Sequence, residues 1–123
     1  MQKLDQLFQE IRMELGTDFI AMDVIGMDGL AIASMSAIPT RDDAAGAART
    51  VMVMKLAEKV SDKLGLGAMD DNLVTTDKVY ILSRFVGDHS YIWGLTIRRD
   101  AILGSARMIM KEYEPQIWDA ILH

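Results

Sequence analysis

Cysteine is absent from the 123 residues, which removes thiol nucleophiles, disulfide scaffolds and cysteine-ligated zinc together. Its absence fits a reducing cytosol. Only two histidines occur, His89 and His123, and neither stands at ligand spacing from another histidine, so both read as solvated side chains and no metal or other cofactor is expected. Basic residues are in deficit, 13 Lys and Arg against 18 Asp and Glu, for a net charge of −5. A grip on nucleic acid needs clustered cations to displace counterions, so no nucleic-acid partner is expected. No apolar run reaches the roughly 18 residues needed to span a bilayer. The opening Met1-Gln2-Lys3-Leu4-Asp5-Gln6-Leu7 is amphipathic, where a signal peptide would follow a basic start with an apolar core. The expectation is a cytoplasmic protein without membrane insertion. Proline is scarce too, at Pro39 and Pro115 only, and no composition shift or repeat divides the chain. Residues 1–123 therefore read as a single domain. Half the residues are apolar, enough for a core that needs no metal or disulfide.

What is present is periodic. Leu4, Leu7, Phe8, Ile11 and Leu15 recur at helical spacing, and Gly16 is placed to end that helix. Phe19 to Ile25 and Leu30 to Met35 read as two strands of a hairpin, because Gly26-Met27-Asp28-Gly29 carries the Asp-Gly pair of a tight turn. Both strands are apolar on both faces, which implies a sheet covered on both sides over part of its area. After Pro39, Thr40 can cap a helix whose positive end Asp43 favours, and that helix should run to about Leu64, where Gly65 and Gly67 stop it. Three more strands follow, near Asn72 to Thr76, Lys78 to Val86 and Tyr91 to Arg98. In the last, Tyr91, Trp93, Leu95 and Ile97 share a face, and Gly94 leaves room on the other for a close neighbour. A final helix starts after Asp100, carries Ile102, Ala106, Ile109, Met110 and Tyr113, and is expected to kink or restart at Pro115. The fold class is thus α/β of the α+β type. An antiparallel sheet of about five strands carries the long central helix on one face and the terminal helices on the other.

The long helix has more apolar surface than one contact needs. Val53, Leu56, Ala57, Val60 and Leu64 form one stripe, opposite Lys55, Glu58, Lys59 and Asp62, and this stripe is expected on the sheet. Ala44, Ala47, Ala48, Val51 and Met54 form a second stripe, with Met52 at its margin. A helix that is apolar all round must be buried all round, and a small one-sheet chain has little left to cover a second face. Spacings of three and four with small residues suit a two-helix seam, so the second stripe is expected to pack against its own copy in a two-fold homodimer. The alternative is cover from within, by the loop from Met35 to Pro39 or by the C-terminus.

No catalytic constellation emerges. The glycines of Gly65-Leu66-Gly67 follow a helix where a phosphate loop would open one. Ser34 and Ser36 lack both a nearby histidine base and an elbow, so bonds to the loop backbone are expected. Asp70 and Asp71 lack calcium-loop spacing and read as a solvated turn. Asp23, inside an apolar strand, needs an edge or a partly open face. Arg98-Arg99 reads as an exposed strand end, and Arg49 could reach a partner's carboxylate or phosphate or pair within a dimer. Met52 and Met54 could offer an adaptable recognition surface.

The segment Val24-Ile25-Gly26-Met27-Asp28-Gly29-Leu30-Ala31-Ile32-Ala33-Ser34 resembles the first hairpin of Roadblock and dynein light-chain-type domains. The order of elements along the whole chain is similar too. The resemblance implies a homodimer built on the long helix and the third strand, which adds Leu73, Val74 and Thr75 to the candidate interface. Stand-alone bacterial and archaeal members work beside small Ras-like GTPases, as activators or as polarity and motility adaptors. The implied function is a non-enzymatic dimeric regulator of such a GTPase, with Arg49, Met52, Lys55 and Lys59 as candidate contacts. A structural adaptor without effect on hydrolysis and a small-molecule sensor are the alternatives. The resemblance carries no catalytic residue and no arginine finger onto this chain.

Overall fold

Leu4, Phe8 and Ile11 line one side of a first helix, α1 (Gln2–Leu15). Gly16, at φ 60°, ends it where a side chain would be strained, and one 3-10 turn (Gly16–Asp18) leads into strand β1 (Phe19–Gly26). The structure, a computed structural model, describes residues 2–38 and 43–121, and for residues 43–45 the backbone alone. Thr40, Pro39 and His123 lie outside the described residues. Strand β2 (Ala31–Ser36) is followed by the long helix α2 (Asp43–Lys63), strands β3 (Asn72–Thr75), β4 (Val79–Val86) and β5 (Tyr91–Arg98), and helix α3 (Leu103–Ala120).

The strands form one antiparallel sheet in the order β2-β1-β5-β4-β3. The first turn closes through Gly26 N–H to Leu30 O and Gly29 N–H to Gly26 O, with Asp28 Oδ1 accepting from Leu30 N–H. Among its residues only Gly29 takes a positive φ, 86°, so the loop is wider than a two-residue Asp-Gly turn.

The sheet is covered on both sides. Met22 and Val24 of β1, Leu82 and Val86 of β4, and Trp93, Leu95 and Ile97 of β5 meet α1 and α3 in the larger core. Ile25, Phe85 and Ile92 meet α2 in a smaller one. Helix α3 runs through Pro115 without the expected restart. Met110, Tyr113, Ile117 and Ala120 are buried on either side of the proline, so one core anchors both segments, while the ring itself is exposed. Ile102, expected inside this helix, precedes it and is exposed.

Candidate interaction surface on the long helix and the edge strand

At 1.5 Å per residue α2 is about 31 Å long, and it has two apolar stripes as its sequence implies. Their assignment is reversed. Ala47, Val51 and Met54 face the sheet of their own chain, packed on Ile25, Phe85 and Ile92, with Met54 0% exposed. They cannot form a seam with another molecule. Ala48, also expected in that seam, is exposed, with Gly29 of the first turn against it. The side chain of Ala44 lies outside the described residues. The stripe expected on the sheet is the one left in solvent: Leu56 is 64% and Leu64 65% exposed, and Val53 and Val60 are close to half exposed. Leu66, beyond the helix end, continues it. The physical reason lies in the sheet. On its α2 side the large buried side chains Ile25, Phe85 and Ile92 cluster at one end, and Ala47 is small enough to let the helix backbone come down there.

A third stripe separates the other two on the far side of α2. Arg49, Met52, Lys55 and Lys59 are all exposed; Met52, Lys55 and Lys59 share one flank, and Arg49, four residues before Val53, stands at the border of the outer apolar stripe. Three of the four candidate contacts thus share a flank, and all four are open to solvent.

At the sheet margin, β3 pairs among the described residues with β4 alone, which leaves its other edge open there. Val74 and Thr75 are exposed, whereas Leu73 turns to the α1 and α3 core. Val74 stands opposite Ile81, which lies beside Gly46 and Thr50 of α2, so Val74 and the outer stripe of α2 are on the same side of the sheet.

Of Asp70 and Asp71, both expected to be solvated, Asp70 is exposed and Asp71 is largely buried, and both are ion-paired. Asp71 accepts from Arg107 Nε at 2.9 Å and Nη2 at 3.1 Å. This fork raises the Arg107 pKa, against a smaller opposing effect of burial. Asp70 lies 3.5 Å from Arg84 Nη2 and 3.2 Å from Lys111 Nζ. Arg107 and Lys111, one helical turn apart on α3, are the sequence signal that could have found these partners.

Asp23 lies on an inner strand, so the open face explains it and the edge does not. Its carboxylate occupies the space that Gly94 leaves: a Cβ on Gly94 would stand 2.6 Å from Asp23 Oδ1. Asp23, Thr50, Ser83 and Thr96 line a cleft under α2 of about 50 Å³, room for water but not for a metabolite. His89, at φ 71°, stacks on Phe85 with ring centroids 4.5 Å apart and bonds Glu58 of α2 through Nδ1 at 2.9 Å. Arg98 pairs with Asp100 at the exposed strand end, Arg99 lies over the Tyr80 ring, and Ser36 Oγ bonds the backbone of Ile38. Among the described residues no three of His, Asp and Glu converge as metal ligands would, and no helix is long and apolar enough to cross a membrane.

Sequence comparison finds no matching family profile and no matching curated protein. Structures do match. MglB of Myxococcus xanthus superposes with a TM-score of 0.86 at 13% identity, over 96% of this chain and 86% of that one. A structure described as MglB with tetrameric arrangement gives 0.80 at 13% identity, over 95% and 88%. A Roadblock/LC7 domain from Streptomyces avermitilis gives 0.75 at 18% identity, over 92% and 96%. The chain therefore has the Roadblock/LC7 fold, as its hairpin and element order implied.

Proposed function

We propose that this chain is a cytoplasmic, non-enzymatic regulator that pairs with its own copy through the outer stripe of α2 and the open edge of β3. The paired helices then offer Arg49, Met52, Lys55 and Lys59 to a small Ras-like GTPase. One observation carries the reading. Val53, Leu56, Val60 and Leu64 are exposed on a helix whose other apolar stripe is already used by its own sheet. Burying one such side chain in full is worth roughly 1.5–3 kcal/mol, and a two-fold contact uses each position twice. That sum, discounted for partial exposure, is comparable to the roughly 4–15 kcal/mol cost of association.

The fold shared with MglB, one of whose structures is described as tetrameric, supports self-association, and the first hairpin's resemblance to stand-alone Roadblock proteins supports a GTPase partner. Among the described residues the polar cleft under α2 is small, which weighs against the small-molecule sensor. A regulator of this kind would order the switch loops and catalytic groups of the GTPase itself.

The test is co-purification with a Ras-like GTPase encoded in the same genome, followed by single-turnover GTP hydrolysis with and without this chain. Faster hydrolysis, lost in Lys55→Glu/Lys59→Glu, is the expected result. Binding without acceleration would make the protein a structural adaptor, and absence of binding would remove the GTPase.

A further inference from the structure

The ion pairs around Asp70 and Asp71 have a role beyond closing a turn. The chain leaves α2 at Lys63, passes Gly65 and Gly67 at positive φ, and reaches β3 after the two aspartates. Strand β3 itself has four residues and, among the described residues, a partner on one side only. So short an edge strand is weakly held by its own ladder. What holds its entry is an array of three cations and three carboxylates: Arg84 of β4, Arg107, Lys111 and Glu114 of α3, and the two aspartates. Arg84 also donates from Nε to Glu114 at 3.0 Å. Exposed ion pairs contribute little. Here Asp71 keeps only 14% of its side-chain surface, so its charge depends on the fork from Arg107, and Arg84, with 12%, is held between Asp70 and Glu114. The fixed end of the array is α3, whose inner face belongs to the larger core, and the free end is the edge at which a second copy would arrive.

We infer that Asp70 and Asp71 form an ionic latch, closed on Arg84, Arg107 and Lys111, that holds the β3 edge in position to receive a second copy of the chain and makes association sensitive to salt. The inference rests on the docking reading above. Its signature has a definite sign. Two chains of net charge −5 repel, so salt should strengthen an association that depends on the apolar stripe alone. A latch opened by salt gives the reverse.

The experiment compares wild type, Asp71→Asn and the charge-exchanged Asp71→Arg/Arg107→Asp. Hydrogen exchange of residues 72–75 is read in dilute solution, and the dissociation constant is read by sedimentation at about 50 mM and about 500 mM NaCl. Wild type should associate less tightly at the higher salt. Asp71→Asn should speed exchange in β3 and weaken association at low salt, each by about tenfold, and lose the salt effect, with β1 and β5 unchanged. The exchanged pair should restore most of both. Unchanged β3 exchange in Asp71→Asn overturns the latch. Faster β3 exchange with wild-type association and salt dependence overturns its coupling to docking. A wild-type chain that sediments as one subunit at both salts overturns the docking reading and the coupling with it, a failure distinct from the other two.

Discussion

On one side of the sheet two helices cover the strands, and a continuous core runs from Leu4 of α1 through Trp93 of β5 to Ile117 of α3. On the other side α2 lies alone, seated through Ala47, Val51 and Met54 at one end of the sheet. Toward the other end it stands over Asp23, Gly94, Ser83 and Thr96. The two-helix side buries one continuous core and leaves Met13, Ile102 and Met108 exposed singly. The one-helix side has apolar surface to spare, and the surplus is on the outside of α2. A helix on a sheet with no second helix beside it remains exposed along its flanks, and here one flank is apolar and the other cationic.

The largest effect should come from a charge placed inside the smaller core. Met54→Glu puts a carboxylate where no water reaches, and Val51→Glu is little better placed. Each should cost several kcal/mol and leave the chain unfolded or aggregated, seen as loss of the cooperative melt by circular dichroism. Val60→Glu, two helical turns along but on the outer stripe, should keep the melt within about 1 kcal/mol and weaken self-association by about a hundredfold or more in sedimentation. An equal loss of fold in both would erase the difference between the stripes.

Gly94→Ala probes the polar part of the α2 side. The added methyl meets Asp23 Oδ1, so a loss of roughly 1–3 kcal/mol is expected in urea unfolding, relieved in part by Asp23→Ala in the same chain. The smallest effect belongs to the two-helix side. Burial, then the charge and hydrogen bond of Glu14, raise the Tyr113 pKa above its ordinary value of 10.0. The folded state therefore keeps the phenol proton longer than the unfolded chain, and stability present below pH 10 is lost as pH rises past it. Tyr113→Phe should flatten that alkaline loss in a series of melts.

The order of the elements was legible because each periodic run is bounded by a residue with a mechanical reason to stand there, such as Gly16 after α1 and Gly65 after α2. The close neighbour of Gly94 was legible as a space, though its occupant, Asp23, was not, since register joins residues far apart in sequence. The two stripes of α2 were legible as stripes. Periodicity gives directions around a helix axis but not which of them points at the sheet, and the charged residues opposite the outer stripe suggested the wrong one. What decided it was the position of Ile25, Phe85 and Ile92, a property of three strands together. Asp71 was misread for the same reason, and the partners of the exposed Asp70 were missed, because Arg84, Arg107 and Lys111 come to them from other elements.

The absence of native cysteine allows the central claim to be tested at single positions. Single cysteines would be placed at Val53, Leu56 and Val60 on the outer stripe and at Val51 and Met54 on the inner one. Disulfide-linked species would then be measured after mild oxidation of the folded protein. Covalent dimer is expected from at least one outer position and none from the inner pair. Dimer from Val51→Cys or Met54→Cys, with all three outer positions remaining single chains, would contradict it.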